Sequence, residues 1–487
     1  MQKRLGTLES LESRFLLAGD CVDSLPVEPH GVVHDSAGEY YFHAVDAPKW
    51  IGDATDSFDF ISDDGPKVPL SRVPLLHSND SAEQKIYLDF DGQNVAGTGW
   101  NESYNGQTIS APAFDLDGDN KTFSPTELAT IEQIWTRIAE DFAPFELDVT
   151  TESPTARSFR EGHQAIRVLV TSNVDQRTGA AWFGDAGGVA YINSWRWESD
   201  TPVWVFANNL GGNEKRIAEA AAHEIGHSFG LKHDGTSEEE YFDGFGSGHG
   251  HNGWAPIMGA GYLQPLTQWS RGEYDDANNS QNDLAVIASA ENKVHIARDD
   301  HGNDFRTATP LRTVPDQPIE VDGLISSSSD KDVFSFEFGG GVVNLQIEGA
   351  RLGSNLDIQA TVLDRDGREI RSFNPAGSLT ATVQTLLPSG RYYLQIDGVG
   401  NGDPETNGYS EYGSVGRYTI RGTVSNVVTF VPVPTLPTTI DETPVQPSAI
   451  YRTVHLARLA ARDQLGLDRD DDLLDGFRTL MRMLQQQ

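Results

Sequence analysis

The sequence predicts an α+β domain, built on a mixed twisted sheet with long helices, followed by an antiparallel β-sandwich and a short helical tail. Three observations predict it. Short apolar strands alternate with two amphipathic helices between about Ser81 and Ala297, a pattern of layered sheet and helix. From about Ile319 to Val424, short alternating runs follow one another with only Gly, Asn and Asp turns between them. Evenly spaced strands without helices make a sandwich. Last, the proline-rich VPVPTLPTTIDETPVQP reads as an extended linker before a final segment of helical character. The resulting divisions are 1–20, 21–80, 81–297, 298–425, 426–448 and 449–487.

Taken in order, MQKRLGTLESLESRFLLAGD carries early basic residues but an apolar stretch, FLLA, far shorter than the roughly 7–15 residues of a standard signal peptide. It is similar to the LExLExRxLLA leader-like signature of large exported bacterial proteins, which implies a secreted or cell-surface location. Asp20 separates LAG from Cys21 and so breaks a lipoprotein box. Residues 21–80 are acidic and irregular and read as a propeptide-like segment or linker. KIYLDF alternates as a strand from Lys85 to Phe90. Ser124, Pro125 and Glu127 then form a capping box with proline at the first helical position, and they open a helix carrying Leu128, Ile131, Ile134, Trp135 and Ile138 on one side. AIRVLVT reads as a buried strand, and GGVAYINSW, Gly187 to Trp195, as a strand opened by two glycines. Asn213 caps the helix EKRIAEAAAHEIGHSFG. In the sandwich the strands expected are DVFSFEF, VVNLQIEG, DIQATVLD, RYYLQIDG and GRYTIRGTV.

Composition narrows the classes of function. The chain has 487 residues, with 38% hydrophobic and 9% aromatic, enough for packed cores in more than one unit. A formal charge of −36 argues against nucleic acid or an anionic membrane as partner. The charge suits solubility, salty surroundings or calcium binding instead. With one cysteine, Cys21, there is no internal disulfide. The sequence has no run of about 18 apolar residues, so no membrane span is expected.

The chemistry lies in AAHEIGHSFGLKHDG, Ala221 to Gly235. His223 and His227 stand at i and i+4, on one helical face, where both imidazoles reach one metal ion. Glu224 is turned about 100° from His223 and faces water at that metal without ligating it. Gly230 ends the helix, because glycine takes positive φ at little steric cost. The chain then reverses and His233 approaches the same ion. Three protein ligands leave one tetrahedral position open, which is the catalytic rather than the structural arrangement of zinc.

HEIGHSFGLKH resembles the metzincin zinc endopeptidase pattern HExxHxxGxxH, and APIMGAGY supplies a downstream methionine, Met258. The resemblance implies a zinc protease domain over 81–297, with one Zn2+ held by His223, His227 and His233 and with Glu224 as general base. It further implies Met258 in a turn beneath the metal and a protein or peptide substrate. Asp234 is similar to the reprolysin and adamalysin branch, where it braces the turn. Tyr262, four residues after the methionine rather than two, is a candidate for oxyanion or substrate contact. The resemblance also implies that a strand upstream of the zinc helix pairs with extended substrate, and Gly187 to Trp195 is its match. Residues 298–425 resemble the bacterial pre-peptidase C-terminal domain, with attachment to a surface or matrix through it or the tail as the implied role. Its Asp330 and Asp332 suit either calcium or a carboxylate-capped turn.

Ca2+ is also considered at FDLDGDNKTFSPTE, where Asp115, Asp117 and Asp119 alternate as in calcium loops. The glycine stands fourth rather than sixth and Glu127 thirteenth rather than twelfth, so a polar turn is the competing reading. His249 and His251 lie in a glycine-rich stretch before Met258. Cys21 is either a bystander thiol or a latency ligand for the metal. Against the zinc endopeptidase stand two alternatives, a non-catalytic zinc-containing adhesion or matrix-binding protein and a zinc hydrolase acting on a non-peptide amide.

Overall fold

The computed structural model describes residues 65–160, 164–246, 253–314 and 317–425, together with the backbone of two short strands, Val33–His34 and Tyr40–His43. The expectations for the leader, Cys21, His249, His251, the proline-rich linker and the helical tail lie outside these residues. The described residues all lie in one compact unit. Among the described residues no helix is long and apolar enough to cross a membrane.

A seven-stranded mixed sheet organises the first part. Its strands are β1 (Val33–His34), β2 (Tyr40–His43), β3 (Lys85–Asp89), β4 (Asp148–Thr150), β5 (Ala165–Thr171), β6 (Gly188–Tyr191) and β7 (Val203–Phe206), in the order β1-β2-β6-β7-β5-β3-β4. β7, β5, β3 and β4 run parallel, whereas β6 is antiparallel to both β7 and β2. Every residue of β5 is buried, as expected of a central parallel strand covered on both faces.

Two helices pack against this sheet and against each other: α1 (Pro125–Asp141) and α2 (Glu214–Phe229). α1 starts as its capping box dictates. Ser124 accepts from Glu127 N, and Glu127 Oε2 accepts from Ser124 N at 2.7 Å. Asn213 caps α2 by accepting from Arg216 N at 3.1 Å. Ile131, Ile134 and Ile138 are fully buried beneath α1.

The strand expected over Gly187 to Trp195 stops at Tyr191. Asn193 adopts φ 62°, and Ser194–Arg196 form a 3-10 turn. The bend has a tertiary cause: Asn193 N donates to His227 O at 3.1 Å, fastening the end of the strand segment to α2.

The second part is a sandwich of a five-stranded sheet (Thr309–Pro310, Lys331–Phe338, Gly390–Gly398, Ile358–Leu363, Glu369–Phe373) and a four-stranded sheet (Ile319–Ile325, Gly416–Ser425, Gly341–Gly349, Ala381–Leu387). All pairings are antiparallel except that of Thr309–Pro310. Sequence patterning picks out five of these strands. Ile319–Ile325 is masked by Gly323, which is required because a Cβ there would stand 2.3 Å from the Tyr418 hydroxyl crossing it.

The two parts share a core. One apolar cluster runs from Ile86 to Val424. Trp269 Nε1 donates to Asp141 O at 2.7 Å, Asn355 Nδ2 to Asp141 Oδ1 at 3.0 Å, and Arg417 N to Glu140 Oε1 at 2.9 Å.

Candidate active site

α2 carries His223, Glu224 and His227, and all three are buried. The helix ends at Gly230 with φ 108°, in the left-handed region that favours glycine. A Cβ at this position would also stand 2.6 Å from Asn193 Oδ1, so the turn needs glycine twice over. Leu231 N donates back to Gly226 O at 3.1 Å, and the chain reverses to bring His233 beside the other two rings. His223, His227 and His233 form a group that could hold a metal ion.

The hydrogen bonds of the rings determine which nitrogens face inward. His223 Nδ1 donates to Ile257 O at 3.0 Å and His227 Nδ1 to Leu231 O at 2.8 Å. A carbonyl only accepts, so each ring carries its proton on Nδ1 and presents an Nε2 lone pair. His233 Nδ1 lies 3.0 Å from Glu240 Oε1, which fixes the same orientation. The inward atoms then crowd: His227 Nε2 and His233 Nε2 are 3.0 Å apart. His223 Nε2 is buried without a hydrogen-bond partner among the described residues. Burial holds His223 down to about 4 and His227 well below its ordinary value, so both are neutral at physiological pH. Imidazoles that turn their Nε2 atoms toward one point are what a zinc ion requires.

The surroundings are equally specific. Met258 is fully buried beneath α2, and a Cβ at Gly226 would stand 2.4 Å from its sulfur. The same turn supplies Ile257 O to His223, and Met258 O accepts from Asp234 N at 2.9 Å. Asp234 is buried, its Oδ1 accepts from Asn279 Nδ2 at 3.0 Å, and burial pushes it up to about 7. On the sheet side, Gly188 of β6 lies against Glu224, where a Cβ would stand 2.7 Å from Glu224 Cγ.

Tyr262 is buried in the main apolar cluster that also holds Ile257 and Met258. The tyrosine beside the histidines is Tyr241, with ring centroids 4.2 Å from His233 and 6.1 Å from His223. Sequence reasoning missed Tyr241, Glu240 and Gly188. The only hint was the run EEEYF following so closely on the third histidine.

In the loop Asp115 to Asp119, Asp115 Oδ1 accepts from Asp117 N and Gly118 N, and Asp117 Oδ1 from Asp119 N. Lys67 Nζ sits 2.7 Å from Asp117 Oδ2 and 3.4 Å from Asp119 Oδ2. Glu127 accepts from Leu116 N as well as from Ser124 N. Asp115, Asp117 and Glu127 nonetheless lie close enough to hold a cation. In the sandwich, Asp330 Oδ2 accepts from Ser326 N and Oγ at 2.8 and 2.9 Å, which caps the turn. Asp332 Oδ2 accepts from Tyr418 OH at 2.6 Å. The other oxygen of each is buried without a hydrogen-bond partner among the described residues, and the two carboxylates group with Asp299.

Three imidazoles converge on one point, with a buried carboxylate next to the first of them on the same helix, an arrangement that could hold a metal ion. Residues 127–270 match the family model described as Reprolysin_5, metallo-peptidase family M12. No curated protein matches the chain. Among solved structures, the pre-peptidase C-terminal domain of a collagenase from Bacillus anthracis is similar at 11% identity and TM-score 0.18, over 26% of this chain and 97% of that one. PliG of Aeromonas hydrophila, a periplasmic inhibitor of g-type lysozyme, is similar at 14% identity and TM-score 0.17, over 23% and 92%. The Yersinia pseudotuberculosis-derived mitogen is similar at 16% identity and TM-score 0.16, over 23% and 89%. At such scores these likenesses support no inference about activity.

Proposed function

We propose that the chain is an exported zinc-dependent endopeptidase. The observation that carries this reading is the inward crowding of the Nε2 atoms of His223, His227 and His233, each ring oriented by an acceptor on its far side. In it, these histidines hold Zn2+ and Glu224 is the general base. Zinc, when bound, supplies the Lewis acidity that polarises a scissile carbonyl and acidifies water. Glu224 takes the proton of the attacking water and delivers it to the leaving amine. Gly188 lets β6 pass against Glu224, and in this reading an extended substrate joins that strand beside the point of reaction.

In the described structure β2 pairs antiparallel with that strand, Val189 with His43, Ala190 with Phe42 and Tyr191 with Tyr41. This supports a propeptide-like role for the N-terminal segment, which must leave the edge before substrate adds to it. For calcium, the reading favours the sandwich group of Asp299, Asp330 and Asp332 over the 115–119 loop, where Lys67 already supplies positive charge.

The test compares the full chain with Glu224→Gln on casein, with zinc content measured in both. The wild type is expected to cleave and the variant to bind one zinc and be inert, with kcat lower by at least about 10²-fold. Equal activity in the two, or zinc-loaded wild type without activity, would sink the endopeptidase reading. A His233→Ala chain that keeps its zinc would remove the third ligand from it.

A further inference from the structure

The three acceptors behind the histidines differ in kind. Ile257 O and Leu231 O are backbone groups, whereas Glu240 contributes a side-chain carboxyl group. The segment after His233 is shaped to deliver that side chain. At Gly235 a Cβ would stand 2.3 Å from Glu239 O and 2.4 Å from Glu240 O, so only glycine lets the chain double back so closely. Thr236 N donates to Glu239 O at 2.7 Å, and Thr236 Oγ1 accepts from Glu238 N and Glu239 N at 3.2 and 3.1 Å. Phe242 N closes the return by donating to Asp234 O at 2.8 Å. Tyr274 OH and Asn278 Oδ1 fasten the two faces of the Gly235 peptide, at 2.8 and 3.0 Å. The result sets Glu240 on His233 Nδ1 and lays the ring of Tyr241 over His233.

We propose that Glu240 is the positioning residue for the third ligand, holding His233 in the Nδ1–H tautomer and strengthening its Nε2 as a donor to zinc. The inference rests on the zinc reading above and adds a residue to it. Chemically, an ionised carboxylate accepting from Nδ1–H gives the imidazole partial imidazolate character, which a carbonyl does weakly. His233 lies beyond the end of α2, so the helix does not fix its ring as it fixes the other two. Glu240 therefore supplies the orientation that helical packing supplies to His223 and His227.

The test measures zinc affinity of the full chain by competition with a chromophoric chelator, and the visible spectrum of the cobalt-substituted chain. Glu240→Ala is expected to weaken zinc binding by about 10- to 100-fold and to shift the cobalt bands. Glu240→Gln keeps an acceptor oxygen without the charge and is expected to fall between, a partial rescue that mere loss of packing would not give. Glu239→Ala, which removes the neighbouring exposed carboxylate, is expected to bind as the wild type does. Should Glu240→Ala disturb the fold of the zinc-free chain, Glu240→Gln alone decides. Wild-type affinity and spectrum in Glu240→Gln would overturn the proposal, as would an equal loss in Glu239→Ala. A wild-type chain that binds no zinc would instead overturn the zinc reading, and this inference with it.

Discussion

Gly188 has no side chain, yet it constrains where the carboxylate of Glu224 can stand. A Cβ there would come within 2.7 Å of both Glu224 Cγ and Trp204 O. A side chain there fits neither neighbour, so β6 must shift and the side chain of Glu224 must move with it. Misplacing a catalytic group by about 1 Å costs on the order of 10²-fold in rate. Gly188→Ala is therefore expected to lower kcat to that degree while its zinc content stays at the wild-type value, because no ligand is touched. Unchanged kcat would show that Glu224 tolerates displacement. At this scale sequence reading succeeds where a position depends on local spacing. The interval between His223 and His227 is helical geometry, and Gly230 is the turn that follows it. It fails where a role depends on contact across the fold. Gly188 reads as one more strand glycine, and Glu240 as one of three consecutive glutamates. Tyr241 is another such residue, its ring brought against His233 by the return of the chain after Gly235.

Elements were legible where their ends are marked chemically. Ser124 with Glu127 marks the start of α1, and Asn213 with Gly230 brackets α2, because caps satisfy backbone groups that nothing else nearby can. Strand ends carry no such mark. β6 stops at Tyr191 because Asn193 turns to meet His227 O, a contact made only in the folded chain. The pairing of β6 with β2 was equally hidden, since alternation identifies a strand but not its neighbour. That pairing yields a prediction. Phe42 is aligned with Ala190, and proline there removes a backbone donor and disfavours the strand. If β2 competes with substrate for this edge, Phe42→Pro weakens the competitor. A net hydrogen bond of about 0.5–1.5 kcal/mol corresponds to roughly 2- to 10-fold. The variant should bind fluorescent casein tighter by that factor in the Glu224→Gln background, where self-cleavage is removed. Equal or weaker binding would mean that β2 is a permanent part of the sheet.

For the whole molecule, the excess of 72 acidic over 36 basic residues sets the conditions of stability. The sequence shows this excess but not where the carboxylates lie, nor that the two parts share a core across which several are buried. Glu140, at the end of α1, is fully buried beside Arg417 of the sandwich, and burial pushes it up to about 7 even with that partner. Asp89 is likewise pushed up to about 7 by burial, beside Arg167. Both ordinary values are near 4, so the unfolded chain loses these protons first. Each group therefore favours folding most below pH 4, and that contribution is lost as pH rises through about 7. Self-repulsion among the surface carboxylates acts in the same direction and is screened by salt over about 10 Å at 0.1 M. The zinc-free chain should accordingly show a Tm that rises when pH is lowered from about 8 to 6 and again when NaCl is raised from about 0.05 to 0.5 M. The two effects separate by their cause. Salt screens the surface charges but leaves the cost of burying Glu140 and Asp89 nearly unchanged. The pH effect should thus persist at high salt and shrink in Glu140→Gln, which retains the shape of the contact without the charge. Calorimetry over this grid of pH and salt measures both, and a Tm indifferent to pH at high salt would place the titrating groups on the surface rather than at the junction of the two parts.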